Sequence, residues 1–373
     1  MSEPASRPAA PHGLHVVVDG SGLARPWAGV GTYTDQILHA MAVARPHNRF
    51  TVYVPAGVTI GHRAIATRPL PAARFVGRHL QFPSRVNRLK ADVYFGPAGQ
   101  LPLGSVDLPS VLTVHDLAIY IEPRWFPGGQ ALSTRFIVPR SLERAAALIA
   151  VSANTAEDLS DRFGIDPRRI EVVHSGVNAA FRPLEREQAQ EVRQRYQLPE
   201  RFILFVGTIE PRKNLLTLLE AWVQMSDRPP LVIAGGWGWR FEEVETRLQR
   251  LGDRVRLLGG VPPADLPALY SLATCLAHPA WYEGFGLTPL EAMACGTPVV
   301  CSDTSSLPEV VGDAALLVDP GDVDAWRVGL ERVLSDLDFA ADLRRKGILR
   351  AAEFSWDSSA EKTWKVIERA AGA

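Results

Sequence analysis

The stretch His278-Pro279-Ala280-Trp281-Tyr282-Glu283-Gly284-Phe285-Gly286-Leu287-Thr288-Pro289-Leu290-Glu291-Ala292-Met293-Ala294-Cys295-Gly296-Thr297-Pro298-Val299-Val300 decides the fold of this chain. It begins with a loop that glycines interrupt and continues into Thr288-Pro289-Leu290-Glu291. Thr288 can act as a helix cap, Pro289 suits the first helical position, and Glu291 closes a capping box. The pattern therefore predicts a loop that leads into a helix beginning near Pro289.

The loop and the start of this helix have the properties of a phosphate-binding site. Gly284 and Gly286 let the backbone approach a ligand closely, and the helix N-terminus offers unpaired N–H groups and a positive dipole end. Glu283 and Glu291 flank the loop, and each carboxylate can accept hydrogen bonds from two hydroxyl groups of a sugar or a ribose. The spacing alone fits equally well with a capping role for Glu291 and a solvated position for Glu283.

The same stretch resembles the Glu-x7-Glu signature of the retaining GT-B glycosyltransferases of family four, in the form Glu-Gly-Phe-Gly-Leu-x-Pro-Leu-Glu-Ala-Met-Ala-x-Gly-x-Pro-Val. The resemblance implies that Glu291 holds the ribose hydroxyls of a nucleotide sugar and that Glu283 reaches the donor sugar. The donor-binding residues that it implies in the loop are Gly284, Phe285, Gly286, Leu287 and Thr288. It also implies retention of the anomeric configuration, metal independence, and the departing phosphate oxygen as the base.

The composition is that of a folded protein with two domains. A chain of 373 residues with 46% hydrophobic and 22% charged residues is long enough for two domains of ordinary size. No apolar run reaches the roughly 18–20 residues of a membrane span, and the N-terminus lacks an apolar signal core, so we expect a cytoplasmic protein. No group of His, Cys and acidic residues has the spacing of a metal site, and no cofactor is expected.

One part of the chain is strongly basic. From Gln36 to Ala91 there is no Asp or Glu, whereas nine Arg or Lys residues lie there. A basic surface can attract phosphate-rich partners or an anionic membrane leaflet, although scattered solubilising arginines explain the run equally well. The sequence therefore leaves open a peripheral contact with the inner face of an anionic membrane, and we expect no nucleic-acid partner.

Two series of short apolar runs predict two parallel sheets. One series extends from His15-Val16-Val17-Val18 to Ile170-Glu171-Val172-Val173, and the other from Phe202-Ile203-Leu204-Phe205-Val206 to Ala315-Leu316-Leu317-Val318. Such runs alternating with helices are typical of parallel sheets that are covered on both faces. We therefore predict an α/β chain of two Rossmann-like domains that face a cleft, which is the GT-B fold of the resembling family.

The domain boundaries follow from the same pattern. They are a flexible tail at 1–12, an N-terminal acceptor domain at 13–182, a charged linker at 183–200 and a C-terminal nucleotide-sugar domain at 201–353. The resemblance further implies that a C-terminal helix at 354–373 returns to the N-terminal domain.

Two places in the first half carry candidate site residues. Gly29 and Gly31 follow the first predicted strand and can bring backbone N–H groups to a phosphate or a sugar, although glycine turns of this kind are common. The third glycine of a dinucleotide fingerprint is missing, which disfavours NAD. His115 and Asp116 follow another predicted strand, where a single histidine is more often structural. The resemblance implies that His115 binds the donor sugar and that Asp116 supports its loop.

The second half opens with an adjacent pair of cations. Arg212 and Lys213 lie between a predicted strand and a predicted helix, where a planar guanidinium fork and a compact ammonium suit a diphosphate. An exposed basic pair before a cap at Asn214 is the alternative. The resemblance implies that both cations bind the diphosphate and that Val261 lies in the loop region that holds the nucleotide base, near Trp237.

The resemblance also suggests substrates. The segment Glu210-Pro211-Arg212-Lys213-Asn214 looks most like bacterial mannosyltransferases of surface polysaccharide assembly, so GDP-mannose is the first choice of donor and a UDP-sugar the alternative. The acceptor is expected to be a saccharide or a lipid-linked saccharide, with Trp125-Phe126 as a candidate contact. A sugar epimerase and a non-catalytic nucleotide-sugar binder remain the alternatives from other classes.

Overall fold

The computed structural model describes residues 13–24, 29–71, 76–130 and 133–372. The predicted tail at 1–12 lies outside the described residues. The chain forms two compact units, of which the first comprises Met1–Leu117, Gly129–Gly176 and Trp356–Ala373, and the second Ala118–Gly128 and Val177–Ser355. The strands in chain order are β1 (His15–Asp19), β2 (Arg49–Val54), β3 (Ile65–Pro69), β4 (Val93–Gly96), β5 (Ser110–Val114), β6 (Ala147–Ala150), β7 (Ile170–Val172), β8 (Ile203–Val206), β9 (Leu231–Ala234), β10 (Val255–Gly259), β11 (Cys275–His278), β12 (Val299–Ser302) and β13 (Leu316–Val318).

Helices alternate with these strands, as the predicted pattern requires. In chain order they are α1 (Gly29–Ala44), α2 (Phe82–Asn87), α3 (Ala118–Ile121), α4 (Val138–Arg144), α5 (Ala153–Phe163), α6 (Arg186–Arg195), α7 (Leu215–Gln224), α8 (Glu242–Leu251), α9 (Leu266–Leu272), α10 (Leu287–Ala294), α11 (Leu307–Val311), α12 (Val323–Ser335), α13 (Leu337–Ala351) and α14 (Trp356–Ala371). None of the described helices combines the length and the apolar content that crossing a membrane would require.

Each unit contains one parallel sheet, and the two sheets share the order of their first six strands, to which the first sheet adds a seventh. The first sheet runs β3-β2-β1-β4-β5-β6-β7 and the second β10-β9-β8-β11-β12-β13. Val16, Val17 and Val18 of β1 are fully buried, as expected for a strand whose sheet is covered on both faces. In both units the chain builds one side of the sheet and then crosses to the other, between β1 and β4 and between β8 and β11. The predicted pair of Rossmann-like sheets is confirmed.

The last helix, α14, belongs to the first unit. Trp364 of α14 is fully buried, and its indole N–H donates to the Met41 carbonyl of α1 over 2.9 Å. Arg45 pairs with Glu361 over 2.7 Å along the same contact. The buried face of α14 therefore completes the core beside α1.

The units differ from the predicted boundaries in two places. The segment predicted as a linker, 183–200, contains α6, which packs on α9 inside the second unit, and Arg195 binds Asp265 over 2.8 Å. Residues 118–128 also belong to the second unit, where the indole N–H of Trp239 donates to the Trp125 carbonyl over 2.6 Å. The sequence predicted a linker here because most residues of this helix are charged, and only a few apolar residues such as Val192 are buried in the second unit.

Candidate active site

The place where the second sheet reverses its direction of growth lies between β8 and β11. Ligands of open α/β sheets bind outside the carboxyl ends of the strands at such a point. The loops that follow the two strands are residues 207–214 and 279–286. They contain the predicted catalytic residues Arg212, Lys213 and Glu283. The structure therefore brings the adjacent cations together with a carboxylate about 70 residues further along the sequence.

The loop after β8 is shaped by close backbone contacts. A Cβ at Gly235, the residue after β9, would lie 1.9 Å from the carbonyl oxygen of Gly207, the residue after β8. The loops after β8 and β9 can therefore approach each other only because Gly235 has no side chain. A single 3-10 turn, Pro211–Lys213, then presents the two cations. It ends at Asn214, which has a φ of +53° and donates from Nδ2 to the Pro320 carbonyl over 2.8 Å. These contacts fix the turn on which Arg212 and Lys213 stand.

The two cations are ion-paired with two carboxylates. Glu283 accepts from Arg212 over 3.1 Å and from Lys213, while Arg212 also binds Glu210 over 2.8 Å. Burial raises the pKa of Glu283, but Lys213 and Arg212 outweigh it and hold that pKa well below its usual range. For Glu210 burial dominates and raises the pKa. The side chains of Arg212, Lys213 and Glu283 are 14%, 13% and 12% exposed, so a ligand can reach the cluster.

Glu210 and His278 belong to this cluster although sequence reasoning gave neither a site role. His278 is the last residue of β11, its side chain is 1% exposed, and its Nε2 lies 3.0 Å from a Glu283 carboxylate oxygen. Burial lowers the pKa of His278, so the neutral ring donates from Nε2–H to the carboxylate. A histidine at a strand end facing a loop acid was the available sequence signal.

The helix after the glycine loop begins earlier than predicted. Helix α10 starts at Leu287, its N-cap is Gly286 with a φ of +112°, and no side chain caps it. The predicted capping box of Thr288 and Glu291 is therefore wrong, because glycine in the left-handed region lets the chain enter the helix without a side-chain cap. The N–H groups of Leu287 and Thr288 point out of the first turn, beyond the reach of any acceptor within the helix.

Hydrogen bonds and an aromatic contact fix the backbone of the loop before α10. The Ser306 hydroxyl lies 2.9 Å from the Glu283 carbonyl and 2.7 Å from the Phe285 carbonyl. Phe285 is buried and contacts Phe354 edge to face, with 5.8 Å between the ring centroids. Gly284 and Gly286 are buried as well. The backbone of this loop is thus positioned before any ligand binds.

Glu291 lies on α10 without capping it. It is half-buried on α10, and one carboxylate oxygen accepts from the Tyr270 hydroxyl over 3.0 Å. Burial raises the pKa of Glu291 to about 8, and the Tyr270 hydrogen bond offsets part of that rise. At neutral pH the carboxyl group is therefore mostly protonated.

Trp237 and Val261 follow two neighbouring strands, β9 and β10, at the same edge of the second sheet. Val261 follows β10, which is two strands and about 10 Å away from β8. Trp237 is 43% exposed beside Phe241, with 4.9 Å between ring centroids. Trp125 and Phe126 lie against Trp239, with 6.1 Å between the ring centroids of Phe126 and Trp239. Their contact with the acceptor stays a prediction.

The candidate site residues of the first unit lie after β5 and at the start of α1. His115 lies just after β5, and its Nε2 is 2.6 Å from the Pro97 carbonyl oxygen. Because a carbonyl only accepts, Nε2 carries the hydrogen and Nδ1 is the acceptor of the neutral ring, whose pKa burial lowers. Asp116 beside it is exposed. Gly29 and Gly31 open α1, and a Cβ at Gly29 would meet open space.

No group of three His, Cys, Asp or Glu residues in the described part of the chain has a metal-binding arrangement. Metal independence stays a prediction. The assigned roles of the site residues also stay predictions.

Comparison with known proteins gives matches over most of the chain. Residues 188–350 match the family described as Glycosyl transferases group 1, and residues 27–181 match Glycosyltransferase Family 4. The O-antigen chain mannosyltransferase B of Escherichia coli is 32% identical over 365 residues, which cover 91% of this chain and 95% of that protein.

Solved structures agree in fold. Sucrose-phosphate synthase from Thermosynechococcus elongatus has a TM-score of 0.77 at 23% identity, covering 95% of this chain and 98% of that chain. Anabaena HepE in complex with UDP-glucose has a TM-score of 0.77 at 17% identity, covering 95% of this chain and 100% of that chain. The predicted GT-B fold is confirmed.

Proposed function

This chain belongs to the family of glycosyl transferases group 1, and from that premise we propose that it transfers a hexose from a nucleoside diphosphate sugar to a saccharide or lipid-linked acceptor in surface-glycan synthesis. We propose mannose from GDP-mannose as the donor, which the 32% identity to an O-antigen mannosyltransferase supports. The alternative is a UDP-sugar, which the likeness to a protein bound to UDP-glucose supports. Retention of configuration and metal independence are parts of the proposal.

The cluster of Arg212, Lys213 and Glu283 carries this proposal. A donor that breaks at its anomeric carbon leaves a nucleoside diphosphate with growing negative charge. Two cations on a fixed turn and the N-terminus of α10 would stabilise that charge, since preorganised donors act strongly in a site with little water. These groups would take the place that a metal ion has in other sites.

Binding the diphosphate requires an exchange of partners. Lys213 contacts Glu283, so a diphosphate has to take this cation from the carboxylate. Arg212 is also held by Glu210 and by the Tyr282 carbonyl, at 2.8 Å each, and would keep its position. The carboxylate of Glu283 would then accept hydrogen bonds from hydroxyl groups of the donor sugar. Donor binding would thus prepare the sugar-binding carboxylate.

Other roles follow from the resemblance and the local geometry. Glu291 would hold the ribose hydroxyls, and His115 would accept a hydroxyl hydrogen at Nδ1, because Nε2–H already binds Pro97. The departing phosphate oxygen would take the acceptor proton. We further propose a cytoplasmic protein that touches the inner face of an anionic membrane, for which the basic run from Gln36 to Ala91 is the support.

The first experiment is a thermal-shift screen with GDP, UDP, ADP and TDP in the presence of EDTA. A ligand at about 100 times its dissociation constant adds about 2.7 kcal/mol to the free energy of unfolding, so a true donor product raises the melting temperature. A shift with GDP supports mannose, whereas a shift with UDP selects the alternative donor. The absence of any shift, or a shift that needs metal, contradicts the proposal.

Product analysis with the matching nucleotide sugar separates the remaining alternatives. A retaining transferase makes a glycoside whose anomeric configuration, measured by NMR, equals that of the donor, whereas an inverted product would contradict retention alone. An epimerase releases free sugar and nucleotide without an acceptor, and a non-catalytic binder releases neither.

A further inference from the structure

The first unit has an open pocket of about 310 Å³ that plays no part in the site described above. Its lining residues are Tyr53, Arg68, Pro69, Arg85, Arg88 and Leu89. Tyr53 is near the end of β2, and Arg68 and Pro69 end β3. The pocket therefore lies at the carboxyl edge of the sheet, which is the edge where ligands bind in open α/β domains.

The arginines of the pocket have no described ion-pair partner. Among the described residues, no Asp or Glu lies within 4.0 Å of the Arg68, Arg85 or Arg88 guanidinium groups. Arg85 and Arg88 are three residues apart at the C-terminal end of α2, so the two guanidinium groups begin from neighbouring positions. No acid occurs between Gln36 and Ala91 to offset them.

The lining selects one chemical class of ligand. Guanidinium groups present planar pairs of N–H donors that match phosphate oxygens, and three of them can surround one phosphate or diphosphate. The volume is at the small end of ligand pockets, which fits a phosphorylated headgroup rather than a whole oligosaccharide. Tyr53 and Leu89 add an apolar wall for the carbon atoms next to the phosphate.

We propose that this pocket binds the phosphate or diphosphate group of the acceptor. The assignment to the acceptor rests on the proposed function, whereas phosphate binding by the pocket does not. The phosphate can belong to a soluble sugar phosphate or to the headgroup of a lipid carrier, and both present the same oxygens to the arginines.

The test compares the wild-type chain with a pocket variant, Arg68→Ala/Arg85→Ala/Arg88→Ala. A triple control, Arg49→Ala/Arg63→Ala/Arg168→Ala, removes the same charge from exposed positions of the first unit outside the pocket. Calorimetry with glycerol 3-phosphate and with inorganic diphosphate tests the soluble source. Flotation with phosphatidylcholine vesicles, with and without phosphatidic acid, tests the lipid source.

We expect the pocket variant to bind at least one probe about tenfold or more weakly for each arginine that contacts phosphate, while the control binds it like the wild type. Loss of the soluble probes assigns a soluble phosphate, and loss of the phosphatidic acid vesicles assigns a lipid headgroup. Binding that is equal in wild type and pocket variant, equally weakened in both variants, or absent from the wild type overturns the proposal.

The nucleotide thermal shift is measured on the same variants. An unchanged shift confirms that the pocket variant is folded and that the Arg212–Lys213 cluster is intact. Failure of the phosphate tests with an intact nucleotide shift rejects the pocket alone, whereas a wild type without a nucleotide shift rejects the proposed function.

Discussion

The two sheets share the order of six strands, but the side chains at the points where this order reverses differ. At the end of β1, the Asp19 side chain is 2% exposed and binds Arg78 over 3.0 Å and the Ser21 N–H over 3.0 Å. At the ends of β8 and β11, Arg212, Lys213 and Glu283 are several times more exposed. The first acid is held inside its own unit, whereas the second can exchange partners with a ligand. Topology gives both units a place for a ligand, and side chains decide its use.

The strongest test of this contrast is Lys213→Ala. If the second reversal point neutralises the leaving diphosphate, the turnover number falls by about 10²- to 10³-fold, as for the loss of one preorganised donor. Initial rates of nucleotide release at saturating donor measure it. Lys346→Ala, which removes a cation from the same unit away from the site, should keep the wild-type rate. A wild-type rate in Lys213→Ala would remove the leaving-group role of this residue.

Glu283→Gln separates binding from transfer. The amide no longer competes as an anion for Lys213, so the nucleoside diphosphate should bind at least as tightly as to the wild type. Transfer should still fall about 10²-fold, because the amide accepts sugar hydroxyls less strongly than a carboxylate. Calorimetry and initial rates measure the two effects. Weaker nucleotide binding in this variant would contradict the exchange of partners.

Removal of Arg78 tests the other side of the contrast. Arg78→Ala leaves the Asp19 carboxylate buried without its cation, and the free energy of unfolding should fall by about 2–3 kcal/mol. Urea denaturation measures the change. Arg168→Ala is the matched control, because its partner Asp166 is solvated and stability should not change measurably. Equal stability of the two variants would show that the buried carboxylate does not depend on Arg78.

Glu291 should make the stability of the second unit depend on pH. Its pKa is about 8 in the folded protein and about 4.3 in an unfolded chain, so the folded state binds more protons between these values. The contribution of this group to stability is complete below pH 4 and is lost as the pH rises through about 8. Denaturation across this range should show the slope in the wild type and its absence in Glu291→Gln.

Nucleotide affinity should change in the opposite direction over the same range. The carboxylate accepts ribose hydroxyls better than the protonated acid, so affinity should increase by up to about tenfold from pH 7 to 9. Glu291→Gln should not show this increase. The same pH dependence in both proteins would assign it to another group.

Much of the fold could be predicted from the sequence because strands and helices leave local patterns. The candidate residues Arg212, Lys213 and His115 were predicted because each follows an apolar run that predicts a strand. The contact of Glu283 with Lys213 could not be derived, since it depends on β8 pairing with β11 after two intervening strands. Glu210 was missed because nothing local shows that it turns toward Arg212.

The predicted helix start failed for a physical reason that can be stated. Thr288 and Glu291 have the spacing of a capping box, but the positive φ of Gly286 begins the helix before that box could form. The sequence allows a helix capped by Thr288 and a helix that begins after Gly286, and the φ of Gly286 shows that the second forms.

The position of α14 in the first unit has a consequence for synthesis on the ribosome. About 180 residues separate Gly176 from Trp356, and at about 5–20 residues per second they take roughly 10–40 seconds to translate. During that time Met41 and Phe50 lack Trp364, whose ring lies 5.6 Å from that of Phe50 in the finished chain. The part of the first-unit core that α14 covers therefore stays exposed on the nascent chain while residues 177–355 are synthesised. A chaperone that binds nascent chains would find its apolar surface there.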